Sequence, residues 1–188
     1  METKRKLDYL QEALELGRQR DYAGAAQLLE EAIARQEGVE PEVLLLLGRA
    51  YHTLQRYPRA LALFRDYIRL EPASAQGYFF AGRTYLALGM NQQALPLLRK
   101  ALEIRPDDPQ VLAMLGIACL KSKRSREAVD FLQKAVELAP ENQKFYRSYL
   151  NALLIRGIRL CRVGETELGA QILQFVLDNG IQSPLPHL

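Results

Sequence analysis

Between Pro41 and Pro140 the apolar residues return every three to four positions, in blocks of roughly 12–14 residues, which is the length and spacing of amphipathic helices. The blocks come in pairs, and the pairs recur. Gly48, Gly82 and Gly116 stand 34 residues apart, as do Ala60, Ala94 and Ala128, and Pro72, Pro106 and Pro140. Three independent markers on one period predict stacked structural repeats, each a helix–turn–helix unit. The glycine and the alanine mark where the two helices of a unit approach closely, because a bulkier residue there would hold them apart. The proline ends the second helix, since it cannot continue the hydrogen-bond ladder. One such pair cannot bury its own apolar face, so neighbouring pairs must cover it.

Written out, the units read Leu44-x2-Leu47-Gly48-x2-Tyr51, Ala60-x3-Phe64, Pro72; then Tyr78-x2-Ala81-Gly82-x2-Tyr85, Ala94-x3-Leu98, Pro106; then Leu112-x2-Leu115-Gly116-x2-Cys119, Ala128-x3-Leu132, Pro140. This resembles the tetratricopeptide repeat, with Leu or Tyr in place of the family's Trp. The resemblance implies an all-α, right-handed solenoid of about five helix-turn-helix repeats. The expected domain is single, residues 1–188, with repeats at about 6–39, 41–74, 75–108, 109–142 and 143–183. Residues 184–188 then begin a further repeat.

The first repeat is degenerate. Tyr22-x2-Ala25-x3-Leu29 aligns with Tyr57-x2-Ala60-x3-Phe64 at an offset of 35, so one extra residue sits around Gly38 to Glu40. Ala13 takes the close-approach slot of its first helix, and Lys4-Arg5-Lys6 reads as a wetted end. Pro41 and Pro58 open helices where a missing N–H costs nothing, and Asp108-Pro109 adds a carboxylate cap. Pro96 is anomalous: it lies about one turn inside its helix and should remove one hydrogen bond and bend the axis slightly. After Pro140 the register slips. Gly157 and Gly169 fill the two small-residue slots, but Gly169 follows Ala128 by 41 residues, seven more than the period and about two helical turns. The expectation is a lengthened helix from about Gln143 to Val163, with Tyr146 and Tyr149 on an apolar stripe that overhangs the previous repeat. Ser183-Pro184 resembles another repeat opening, which predicts a fragment of a longer protein.

The net charge of +3 is spread thinly. Residues 1–40 hold 6 basic and 9 acidic side chains, 41–142 hold 14 and 10, and 143–188 hold 5 and 3. That gradient lacks the concentrated basic face of a nucleic-acid binder, so no nucleic-acid partner is expected. The densest basic run, Lys121 to Arg126, falls at a turn and reads as a solvated turn or an acidic-partner contact. No apolar run approaches the ~18–20 residues of a membrane span, and no apolar segment follows the basic start as a secretory signal would require. Cys119 and Cys161 are single, far apart and at apolar helix positions. They read as core residues in a reducing compartment, and the expected location is cytoplasmic. His52 and His187 are isolated, the carboxylates are scattered, and there is no phosphate-binding glycine loop. No cofactor and no enzymatic activity are expected of these residues.

What remains is a groove. The resemblance implies that first helices line the concave face through positions 2, 5, 9, 12 and 13 of each unit. These are Glu42, Leu45, Arg49, His52 and Thr53; Gln76, Phe79, Arg83, Leu86 and Ala87; and Gln110, Ala113, Ile117, Leu120 and Lys121. Arg49 and Arg83 hold equivalent ninth slots and should form a ladder at about helix–helix spacing, roughly 10 Å. Phe79 lies beside them, flanked by Phe80. Unless Glu42 neutralises the arginines, such a face suits a protein or peptide partner with acidic residues, because guanidinium groups pair bidentately with carboxylates. Related domains that clamp chaperone tails use Asn in the ninth slot, where this chain has Leu14, Arg49, Arg83 and Ile117. The leading expectation is a non-catalytic interaction scaffold. The alternatives are a regulatory or substrate-docking domain of a larger enzyme, such as a transferase or kinase, and self-association through exposed solenoid ends.

Overall fold

Ten helices and no strand make up the described residues of the computed structural model, which are 2–35 and 40–180, with side chains from Tyr9 onward. The extra residue near Gly38, the basic side chains of Lys4 to Lys6 and the segment Ser183 to Leu188 lie outside them. The helices are α1 (Glu2–Arg18), α2 (Tyr22–Arg35), α3 (Pro41–Thr53), α4 (Tyr57–Leu70), α5 (Ala75–Ala87), α6 (Asn91–Ile104), α7 (Pro109–Lys121), α8 (Ser125–Leu138), α9 (Gln143–Arg162) and α10 (Thr166–Gly180). The chain divides into two compact units, Met1–Ile104 and Arg105–Leu188.

In the first unit each helix packs on the next, and α3 also touches both α1 and α5. No such contact joins α2, α4 and α6 among the described residues. The first helices of the three pairs therefore form a continuous inner layer and the second helices splay outside it. The close-approach glycines explain the pairing. A Cβ on Gly48 would sit 2.5 Å from the Phe64 ring, and one on Gly82 would sit 2.7 Å from Leu98 Cγ. Phe64, Leu98, Ala60 and Ala94 are fully buried around these contacts. Tyr51 is also buried, and its hydroxyl donates to Glu30 of α2, which ties the first pair to the second.

The second unit repeats the scheme with α7 touching α9. Asp108 caps α7, its carboxylate accepting from the backbone N–H groups of Gln110 (2.9 Å) and Val111 (3.3 Å). Asn142 caps α9 in the same way through Lys144 and Phe145. The lengthened helix is present: α9 has 20 residues where α3, α5 and α7 have 13. Every turn within a pair carries one left-handed residue, at Arg20, Gln55, Gly89, Lys123 and Gly164. Their spacing follows the repeat period and then the longer final interval, so the turn geometry keeps register even where no glycine is available to adopt it freely.

Candidate functional site

Positions 49 and 83 lie on adjacent inner-layer helices, and the structure brings their side chains to one aromatic ring. The Arg49 guanidinium carbon is 5.2 Å from the centre of Phe80, and that of Arg83 is 5.4 Å away. Both distances are in cation–π range. Phe80 itself stacks on buried Phe64 with ring centres 5.8 Å apart, and Phe79 meets it edge-on at 5.2 Å. The ring shared by the arginines is thus Phe80, with Phe79 as its neighbour.

A chain of hydrogen bonds fixes Arg83. Its Nε–H donates to His52 Nε2 at 3.2 Å. His52 Nδ1 lies 2.9 Å from Thr84 Oγ1. The Thr84 hydroxyl donates to the Phe80 carbonyl at 2.7 Å. That hydroxyl has a single proton, already committed, so its oxygen accepts from His52 Nδ1–H. The imidazole is then neutral, with the Nε2 lone pair aimed at Arg83. Burial and, next, the adjacent Arg83 charge push the His52 pKa from 6.5 down to about 4, which agrees with this tautomer. Thr84 is fully buried, so the relay has a rigid anchor.

Neither arginine has a carboxylate partner among the described residues. Elsewhere Arg18, Arg35 and Arg69 pair with acidic residues one turn away on their own helices, and Arg124 pairs with Glu127 from the N-cap of α8. Glu42 makes no ion pair with Arg49 or Arg83. Burial, followed by the neighbouring Arg49 charge, lowers the Arg83 pKa, the signature of a cation without its countercharge.

The other groove positions distribute unevenly. Leu45 and Leu86 are buried in the packing of the first unit, while Glu42 and Gln76 are exposed. Gln110, Ile117 and Lys121 belong to α7 in the second unit, with Gln110 and Lys121 exposed and Ile117 half-buried. At the basic turn Arg124 pairs with Glu127 at 3.0 Å, and Arg159 donates to the Lys123 carbonyl at 3.0 Å. The sequence pattern gave no weight to Thr84 or to the ring of Phe80. The available signal was Phe80 lying three residues before Arg83, which places them on one helix face.

A separate apolar cleft of about 420 Å³ opens beside α4, α5 and α6, lined by Pro58, Leu61, Arg65, Tyr78, Tyr85 and Leu97. In the second unit the last pair leaves Val163, Leu168, Phe175 and Leu177 exposed. No group of three His, Cys, Asp or Glu among the described residues could hold a metal ion. No described helix is long and apolar enough to cross a membrane.

Stacked helix pairs with an inner layer of first helices define a helical-repeat protein. Two family models, each described as tetratricopeptide repeat, match residues 10–75 and 85–150. The chain belongs to the tetratricopeptide repeat family, and by class it is a protein-interaction scaffold. Solved structures with the same fold include MamA 41-end from Desulfovibrio magneticus RS-1, at 24% identity, covering 94% of this chain and 96% of that one with a TM-score of 0.73. MamA MSR-1 is similar at 24% identity, 95% and 98% coverage and a TM-score of 0.73. A further MamA crystal structure has 16% identity, 90% and 95% coverage and a TM-score of 0.72. A comparison with curated proteins gave no match.

Proposed function

We propose that this scaffold captures a peptide segment bearing acidic residues on the face formed by α1, α3 and α5, with Arg49, Arg83 and Phe79 as the principal contacts. The observation that carries the reading is the pair of guanidinium groups converging on Phe80 with no carboxylate among the described residues to neutralise them. A charge held partly out of water without a partner is unfavourable, and a ligand carboxylate relieves that cost. Glu42, Gln76 and His52 border the same face, and most of the affinity comes from apolar burial along it.

The test is a pull-down from native cell extract, comparing wild type with an Arg49→Glu/Arg83→Glu variant of equal helicity. Partners retained by wild type and lost by the variant support the reading. The same partners on both would make the arginines bystanders and turn attention to Tyr146 and Tyr149 on α9, or to the basic turn from Lys121 to Arg126. Self-association is a second reading, favoured by exposed Val163, Leu168, Phe175 and Leu177. A molecular mass in solution that rises with concentration would support it.

A further inference from the structure

The geometry points to a more specific ligand, an extended segment whose acidic side chain is gripped end-on by Arg83 while an apolar side chain four or so residues away rests on Leu14. The inference rests on the groove reading above and names what that groove selects.

Three observations lead to it. The first is the hydrogen bond from Arg83 Nε to His52. A guanidinium offers a carboxylate two double-donor edges: the side edge, Nε with one Nη, and the end, Nη1 with Nη2. His52 occupies Nε, so the end remains. His52 is in turn held by fully buried Thr84, which gives the fork one preferred direction. His52 is therefore a positioning residue that acts through Arg83.

The second is the row. Leu14 precedes Arg49 by 35 residues, the offset that also maps Ala13 onto Gly48 and Tyr22 onto Tyr57, and Arg49 precedes Arg83 by 34. The three occupy one position on three touching helices. Leu14 is a large apolar side chain left 43% exposed. The row therefore runs from an apolar contact to two cations.

The third is its scale. Packed helices are about 8–10 Å apart, and an extended chain advances about 3.3 Å per residue. One helix step is then about three residues. The interval from Leu14 to the midpoint of the two arginines is one and a half steps, or four to five residues. A segment crossing the layer places its acidic side chain over Phe80 and its apolar side chain on α1.

The probes are acetylated, amidated twelve-residue peptides with one Leu fixed and one Glu placed two to seven residues away, each with a Gln twin, and free-acid versions. Binding to the full chain is read by fluorescence anisotropy. The expected result is that Glu at about four or five residues binds about tenfold tighter than its Gln twin, that the preference fades at a spacing of two, and that amidation does not matter. His52→Ala should bring the Glu-over-Gln ratio close to one, whatever its effect on the affinity of the Gln peptide. His52→Gln, whose amide oxygen can accept from Arg83 Nε, should restore most of the ratio. Arg83→Lys should not, because an ammonium group has no fork. Equal binding of Glu and Gln peptides, no binding at all, indifference to spacing, or a requirement for a free C-terminal carboxylate overturns the inference. If Arg83 is required but His52→Ala changes nothing, the positioning role fails while the groove survives. If Arg49→Glu/Arg83→Glu leaves peptide binding intact, the groove reading fails as well.

Discussion

The last helix pair has glycine in both close-approach slots, and this makes Gly169→Ala a sharp test of the packing. The equivalent slots of earlier repeats hold Ala60, Ala94 and Ala128, each fully buried. A pattern built from those repeats says that alanine is the better residue, worth about 0.5–1 kcal/mol in helix propensity. The structure says otherwise. A Cβ on Gly169 would lie 2.9 Å from the Gly157 carbonyl oxygen, 3.0 Å from the Cys161 amide nitrogen and 2.5 Å from Cys161 Sγ. Two of those atoms are backbone and cannot turn away, so α9 and α10 must separate. Overpacking of this kind costs about 1–3 kcal/mol, and the net expectation is a loss of about 1–2 kcal/mol. Urea denaturation followed by far-UV circular dichroism measures it, with hydrogen exchange of α9 and α10 amides to localise the change. Gly17→Ala is the control, because nothing lies within 4 Å of that Cβ. Adding Cys161→Ala removes the sulfur contact but not the backbone ones, so it should recover only part of the loss. A neutral or stabilising Gly169→Ala, or full recovery by Cys161→Ala, would mean that the backbone contacts at Gly169 do not set the spacing of α9 and α10.

Two further predictions concern stability. The His52 pKa is about 4 in the folded chain against 6.5 ordinarily, so as pH falls the unfolded chain takes up the proton first. The contribution is complete above about 6.5, is lost as pH falls towards 4, and changes no further below that. At 1.36 kcal/mol per pKa unit the gap is worth about 3 kcal/mol; the ring is only half-buried and water screens part of the effect, so we expect about 1–2 kcal/mol, read as the difference in pH dependence between wild type and His52→Gln. Two identical profiles would contradict it. Asp108→Ala removes both side-chain bonds that cap α7 and should cost about 1 kcal/mol by urea denaturation, whereas Asp108→Asn should recover most of it.

Much of the fold was legible because close-approach slots tolerate so few residue types. Gly48, Gly82 and Gly116 fix where first helices cross second helices, and Gly157 and Gly169 keep that relation after the register slips. The seven-residue lengthening of α9 follows from their spacing alone. The capping role of Asp108 was readable from its place before Pro109, while Asn142 has no such proline behind it and went unread. The site was legible only as a row of positions. Phe79 and Phe80 are adjacent apolar residues, and sequence alone does not tell which ring the arginines share. The His52–Thr84 contact joins residues 32 apart through a buried hydroxyl, and neither residue type announces it. Nor does any residue distinguish the junction at Ile104 and Arg105, since Pro106 closes its repeat as Pro72 and Pro140 close theirs.

The proposed partner-binding face is that of α1, α3 and α5. A photo-crosslinking amino acid placed at Phe79, four residues from Arg83 and on the same face of α5, tests it directly, with Tyr85 in the separate cleft as the comparison site. In native extract the expected result is a discrete crosslinked partner from position 79, absent from position 85, and abolished by Arg49→Glu/Arg83→Glu. Crosslinking from position 85 alone, or a position-79 product that survives the double charge reversal, would contradict it.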